Sequence, residues 1–521
     1  MKLPITKSAR MSTPSLFKKI LVANRGEIAV RVLRACCELG IPTVAVFSDV
    51  DRAALHVMKA DEAYHIGSAA ARDSYLNIDR LLEVAKRSGA DAIHPGYGFL
   101  SENAQFAKTC SEAGIKFIGP PPGAMEIMGS KTRAREAAAR AGLPLVPGSV
   151  RALASIAEAQ EFAENVSYPV MLKAVAGGGG KGMRRVNSRD ELASAFSAGQ
   201  SEALRAFGNH EVYIEKLIEQ PRHIEIQVLG DEHGNFVYLG ERECSVQRRH
   251  QKVIEEAPSA LVDAPMRQAM GEAAVALARA AGYYNAGTVE FLVDQHRNFY
   301  FLEMNTRLQV EHPVTELVSG LDLVHLQILI AAGAELPFPQ SDLQLRGHAI
   351  EVRVYAEDPD NNFFPSPGKI TRLLTPSGPG IRDDSGIYEG WTVPLEYDPM
   401  LSKLIAYAPT REQAIRRLRS ALDEYFIAGV ASNLGLLRQI LEDPNFIAAR
   451  IDTGYLERWL SARVPAPSQM NGPGEQIAAL AAALMEVTND GHASQLNSAN
   501  NRQSSIARWK GLARQEALRE R

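Results

Sequence analysis

The sequence predicts a multidomain protein of mixed α/β and α+β class, opening with a doubly wound α/β domain. Three observations carry that reading. At 521 residues the chain exceeds what one hydrophobic core usually supports. From Lys19 to Phe47 it reads strand, turn, helix, strand: "KILVA", "NRGE", the apolar-periodic "IAVRVLRACCELG" with a glycine stop at Gly40, then "IPTVAVF". A second unit of the same kind follows in "DRLLEVAKRSGADAIHPGYGFLSENAQFAKTCSEAGIKFIGP", after which paired strands replace the βαβ rhythm.

Taken in order, residues 16–130 form the doubly wound domain. A dinucleotide site there would need GxGxxG after the first strand, whereas "ANRGEIA" carries one glycine, so a nicotinamide reading fails. Residues of about 145 to 220 form a smaller segment that holds "MLKAVAGGGGKGM" and returns through "HEVYIEKLIEQPR". A longer α+β portion runs to about Trp459. From Ser461 the stretch "SARVPAPSQMNGPGE" reads as a linker, followed by a short alanine-rich helix and the polar "TNDGHASQLNSANNRQSS". The final "IARWKGLARQEALRER" reads as a basic helix, better suited to docking than to catalysis.

Composition is that of an ordinary globular protein, 45% hydrophobic and 23% charged with net charge −4, so no global field attracts nucleic acid or an acidic membrane. Cys36, Cys37, Cys110 and Cys244 make no CxxC spacing, which points to a reducing cytoplasm. The run "IAALAAALM" is under half a bilayer span, and no signal-peptide core follows the start. The first 19 residues are basic and free of acid, which suits a disordered or extended start, with an organelle transit peptide as the alternative.

Four glycines in a row after the apolar "YPVMLKA" and before the returning "KGMRRV" read as a hairpin with an oversized tip rather than an interdomain linker. Bare backbone N–H groups there can approach phosphate oxygens and close over a ligand as a lid. "GKG" lacks the Ser/Thr of a Walker loop.

In "TVEFLVDQHRNFYFLEMN" two alternating strands meet at a turn centred between His296 and Arg297, a register that sets Glu290 opposite Glu303. At roughly 5 Å and an effective dielectric near 20 their repulsion is about 3 kcal/mol, so a positive group is expected between them. Asn305 shares that face, and oxygen-only donors suit Mg²⁺ or Mn²⁺ carrying nucleotide phosphates. A solvated hairpin or a shifted register is the competing reading. Downstream, alternation in "NTRLQVEHPVTE" aims Arg307, Gln309 and Glu311 the same way, as a general base and anion clamp or as a solvated strand face. Taken alone, "ERECSVQRRHQKVIEEAP" reads as a solvated charge run. In "HAIEVRVYAED", Glu351 and Arg353 oppose Ile350, Val352 and Val354; Arg353 reaches a cleft or forms a structural pair with Glu351.

Across residues 16 to about 460 these motifs, with "PRHIEIQVLGD", "RGHAIEVRVYAEDP" and "FFPSPGKI", resemble biotin carboxylase, an ATP-grasp family. The resemblance implies an N-terminal extension (1–15), an N-terminal biotin carboxylase domain (16–130), an ATP-grasp domain (131–334, lid about 145–220), a C-terminal biotin carboxylase domain (335–460) and a linker with C-terminal extension (461–521). It implies ATP- and bicarbonate-dependent carboxylation of biotin on a carrier protein. By motif position Lys131, Lys173, Gly179, Gly180, Glu215, Lys216, Ile218, His223, Gln247, His250, Glu290, Leu292 and Glu303 match nucleotide contacts, with Glu290, Glu303 and Asn305 as Mg²⁺ or Mn²⁺ ligands. Lys252, Arg307, Gln309 and the Val310 backbone match the bicarbonate pocket. Glu311 matches the general base, Arg353 the group that stabilises the biotin enolate, and Tyr97 a residue near the biotin ring.

Gly454 and Lys181 stand where some free-standing bacterial relatives have histidine and arginine. Both variants fit the acyl-CoA and pyruvate carboxylase branches. With no "AMKM" lysine before Arg521, the carrier and carboxyltransferase are expected on separate chains. A homodimer is implied by the family. The enzymatic alternative is another ATP-grasp ligase that forms an acyl phosphate, and the non-catalytic one a regulatory nucleotide-binding protein.

Overall fold

The computed structural model describes residues 16–149, 151–175 and 183–463. The glycines of the hairpin tip, Gly179 and Gly180 among them, and the linker, alanine-rich helix and basic tail read from the sequence lie outside the described residues.

The N-terminal βαβ reading holds. Five parallel strands run in the order Glu62–Gly67, Thr43–Ser48, Ile20–Val22, Ala92–His94, Lys116–Phe117. Ile20–Val22 is buried on both faces, which is why it reads as an unbroken apolar run. Helix Gly26–Glu38 follows it and stops as expected: Gly40, at φ +70°, adopts the left-handed conformation that ends helices. Connections leave the central strand in both directions, opening a crevice between Ile20–Val22 and Ala92–His94. There Asn24 Nδ2 donates to the carbonyls of Pro95 (2.7 Å) and Tyr97 (2.8 Å), fixing the Tyr97 loop over the strand ends.

The predicted glycine hairpin also forms. Val170–Ala174 pairs antiparallel with Met183–Val186, Lys173 opposite Met183, and on its other edge with Val212–Lys216. Helices Ile156–Val166 and Arg189–Phe207 cover this small sheet with their own apolar cluster.

Eight antiparallel strands make the largest sheet: Phe299–Asn305, Asn285–Val293, Arg222–Gly230, Phe236–Arg248, Gln251–Ala257, His348–Tyr355, Met400–Ala408, Ile381–Ser385. Residues assigned by the sequence to two domains thus share one sheet, joined where Ile254 pairs Val352. Period-two alternation sorts its faces. Ile224, Ile226, Val228, Val289 and Phe291 pack with helix Ala264–Ala280, while Glu225, Gln227, Arg242, Thr288 and Glu290 turn the other way, toward helix His312–Ser319. That buried polar face carries the site. Among the described residues no single helix is long and apolar enough to cross a membrane.

Candidate active site

Glu290 does face Glu303, by a route the sequence did not reveal. The turn centres on His296, half a residue from the expected point: Asp294 N donates to Asn298 O (2.9 Å), and Arg297 takes φ +66°. Phe291 therefore pairs Phe301, and an irregularity at Leu302 restores the Glu290–Glu303 register. Glu290 is 4% exposed. Its Oε1 accepts from Lys252 Nζ (2.9 Å), Asn305 Nδ2 (2.9 Å) and Gln309 Nε2 (3.2 Å), and its Oε2 lies 3.0 Å from His223 Nε2. Burial alone would raise this carboxyl; Lys252 and His223 hold it well below the usual carboxylate range. Glu303 is pushed upward by burial and by Glu290, against a longer-range pull from Lys131. Among the described residues no cation lies within 4 Å of it. The cation beside the pair is thus the protein's own Lys252, joined by the His223 imidazole whose pKa Glu290 raises, and both serve one member of the pair.

Lys252 is the node of the cleft. Its ammonium reaches Glu225 (2.5 Å), Glu290 (2.9 Å) and Glu311 (2.7 Å). Glu311 also accepts from Arg353 (2.9 Å), whose Nε goes to Glu255 (2.6 Å). Burial would raise Glu311; Lys252, Arg353 and Arg242 hold it well below its ordinary value, so it is an anion. Beneath it, Arg242 is fully buried and bonds Glu225, Gln227 (2.8 Å), Thr315 (2.9 Å) and Thr288 (3.0 Å). Sequence reasoning missed Glu225, Arg242 and Glu255. The alternation of His223, Glu225 and Gln227 with Ile224, Ile226 and Val228 marks a polar face and would have found the first. The strand Phe236–Arg248 is buried from Leu239 through Gln247, and of the charged residues in the predicted run only Arg249 and His250, at the tip, are exposed. Arg353 is held by Glu255 and Glu311 rather than by Glu351, which resolves that alternative.

The segment 306–311 is a turn leading into helix His312–Ser319, not the strand that alternation suggested. The residues converge all the same. Arg307 donates to Gln309 Oε1 (2.9 Å), Asn305 Oδ1 (3.2 Å) and, from the N-terminal part, Glu102 Oε2 (3.0 Å). Glu102 also accepts from Thr306 N (3.0 Å) and was not foreseen. The Val310 carbonyl accepts from the fully buried Lys403 Nζ (2.7 Å), which lies 5.9 Å from the centre of the Tyr97 ring. The Tyr97 hydroxyl is buried with no hydrogen-bond partner among the described residues.

Of the nucleotide candidates, Lys173 and Glu215 form an ion pair that Arg135 completes. Lys131 opens helix Lys131–Arg140, and burial lowers its pKa. Lys216 donates to the carbonyls of Ser167 (2.9 Å) and Tyr168 (3.2 Å), with Ile218 in the loop beyond. Leu292 pairs across the strands with His223, and Gln247 with Lys252. His250 is exposed at the hairpin tip with φ +67°, apart from the buried group.

Three family profiles match the chain in succession: the biotin carboxylase N-terminal domain over residues 16–125, the carbamoyl-phosphate synthase L chain ATP-binding domain over 130–338, and the biotin carboxylase C-terminal domain over 351–458. A biotin carboxylase of Halalkalibacterium halodurans is 54% identical over 448 residues, covering 86% of this chain and 99% of that one. A pyruvate carboxylase component of Methanothermobacter thermautotrophicus is 52% identical over 444 residues, covering 85% and 90%. The dimeric biotin carboxylase domain of Hydrogenobacter thermophilus 2-oxoglutarate carboxylase, solved with MgADP, ADP and bicarbonate, superposes with a TM-score of 0.82 at 49% identity, covering 85% of this chain and 98% of that one. Sequence, domain order and fold together place the chain in the biotin carboxylase family of ATP-dependent carboxylating ligases.

Proposed function

We propose that this chain uses ATP and bicarbonate to carboxylate biotin borne on a separate carrier protein, as the first half-reaction of an acetyl-CoA or other acyl-CoA carboxylase. The observation that carries the reading is Glu311, an anion held between Lys252 at 2.7 Å and Arg353 at 2.9 Å. Bicarbonate entering beside it takes up the same two cations, which frees Glu311 to remove the bicarbonate proton. Arg307, Gln309 and the Val310 backbone orient the anion, and Lys403 and Glu102 fix those groups from behind. Lys131 and Lys173 face the phosphates, with Glu215, Lys216, Ile218, His223, Gln247, His250 and Leu292 around the nucleotide. Bicarbonate attacks the γ-phosphate, ADP leaves, and the carboxyphosphate so formed donates the carboxyl group; Gly179 and Gly180 belong to the proposed nucleotide contacts. Arg353 then steadies the biotin enolate beside Tyr97.

The donors suit a Mg²⁺ or Mn²⁺ ion. Glu290 and Glu303 face each other, Glu303 lacks a close cation among the described residues, and a half-turn of the Asn305 amide presents a third oxygen. Bound there, the ion would neutralise phosphate charge as bicarbonate attacks. The solved complex of a relative with MgADP and bicarbonate supports magnesium and a nucleotide as ligands.

ATP hydrolysis that rises with free biotin and bicarbonate, and not with ammonia or amino acids, is the expected result; the reverse would favour another acyl-phosphate-forming ligase. The second reading of the parent enzyme is a pyruvate carboxylase, supported by the likeness to the pyruvate carboxylase component of Methanothermobacter thermautotrophicus. Copurification separates these, since the companion carboxyltransferase accepts either an acyl-CoA or a keto acid. We further infer a cytoplasmic homodimer, with a place in fatty acid biosynthesis if acetyl-CoA is the acceptor, and the domain limits 16–130, 131–334 and 335–460.

A further inference from the structure

The large sheet holds a further pair of facing carboxylates away from Glu290 and Glu303. Where Gln251–Ala257 meets His348–Tyr355, Glu255 lies directly opposite Glu351, and both are 0% exposed. Glu255 Oε1 accepts from Arg353 at 2.6 Å. Its Oε2 and both oxygens of Glu351 are buried without a hydrogen-bond partner among the described residues. Among the described residues no cation lies within 4 Å of Glu351: Lys403, committed to Val310, and Arg353, committed to Glu255 and Glu311, act on it only at longer range. An ionised carboxylate there would be a buried anion with neither hydrogen bond nor ion pair, which protein interiors avoid by protonation. Glu255 has the guanidinium and Glu351 does not, so the proton belongs on Glu351. Burial raises both, Glu255 to about 7 and Glu351 well above the carboxylate range.

We propose that Glu351 is held as a neutral carboxylic acid and is a positioning residue for Arg353: uncharged, it leaves the guanidinium to Glu255 behind and to Glu311 and substrate in front. Ionised, Glu351 would be a further anion behind Arg353 and would draw it away from the cleft. The groups facing the pair are Arg353 and Tyr355 on its own strand, Lys252 on the Glu255 strand, Lys403 and Arg382 on the next two strands, and Glu311, His312 and Glu316 at the helix packed above. The positioning role rests on the function proposed for Arg353; the protonation does not.

Infrared difference spectra of the full chain at pH 7, wild type against Glu351→Gln, test the proton directly. A protonated-carboxyl stretch lost in the variant is expected, and its absence from the wild type overturns the proposal. The thermal midpoint gives a second reading. The folded chain keeps a proton that unfolded glutamate releases above pH 4.5, so this group's contribution to stability falls as pH rises from there. Glu351→Gln and the apolar Glu351→Met are both expected to flatten that fall. In both, biotin-dependent turnover at pH 9 relative to pH 7 rises about threefold, with KM for ATP unchanged. Folded variants that both lose turnover at pH 7 would mean that the charge is required, and the proposal falls. If the stretch is found but Arg353→Lys keeps full biotin-dependent turnover, the positioning role falls and the protonation stands.

Discussion

Among the glutamates that face each other across neighbouring strands of the large sheet, Glu290 with Glu303 and Glu255 with Glu351 resolve the same repulsion in opposite ways. Glu290 is surrounded by Lys252, His223, Asn305 and Gln309, and its partner Glu303 is part-exposed with, among the described residues, no cation within 4 Å. Glu255 has one guanidinium, and its partner Glu351 has, among the described residues, neither hydrogen bond nor close cation. Register alone therefore does not specify a metal site. What decides is whether the strands on either side bring cations and hydrogen-bond donors, and whether the free carboxylate borders a cleft or lies under a helix. The first pair is built to take up charge from outside; the second removes its own.

The largest test of that contrast is Glu303→Gln, expected to lower bicarbonate-dependent ATP hydrolysis by about 10³-fold while the thermal midpoint holds, because it removes a proposed metal ligand without adding bulk. Equal losses in Glu303→Gln and Glu351→Gln would erase the distinction. Next, Arg242→Met leaves Glu225 buried with Lys252 as its remaining cation and should cost about 3–5 kcal/mol in urea unfolding; a neutral outcome would mean that the cations around the first pair are interchangeable. Arg353→Lys keeps the charge but loses the fork that serves Glu255 and Glu311 together. Biotin-dependent turnover should fall about 10²-fold, with biotin-independent ATP hydrolysis within about threefold of wild type.

The smallest effect is on pH dependence. Although burial opposes it, Glu290 raises the His223 pKa, so that side's contribution is present below pH 6.5 and fades as pH rises through the raised value. The Glu290 pKa is lowered, so its side is present above pH 4.5 and fades as pH falls. Thermal melts of His223→Gln should show the greatest deficit against wild type between those limits; a uniform deficit at all pH would mean that the pair is not titrating.

What the sequence disclosed follows from how local each feature is. The βαβ unit at Lys19–Phe47 and the hairpin on either side of the glycines are written in short-range periodicity and turn residues, and both form. The Glu290–Glu303 register was legible although its turn was misplaced, because the irregularity at Leu302 compensates for the shift. The segment 306–311 was misread as a strand because Arg307, Gln309 and Glu311 converge through a turn that happens to preserve the period-two order. Glu225 lay on the alternating polar face of Arg222–Gly230, whereas Arg242, Glu255 and Glu102 were invisible for another reason. Their importance arises from pairings between strands and loops distant in the chain, such as Arg307 with Glu102, which no local pattern records.

That last contact limits how the protein can be divided. A fragment beginning after residue 130 would retain every residue proposed to hold nucleotide, metal and bicarbonate, yet would lack the Glu102 carboxylate that steadies Arg307. Any transplant of this cleft into another scaffold must bring the parallel sheet with it, or supply an equivalent anion from elsewhere.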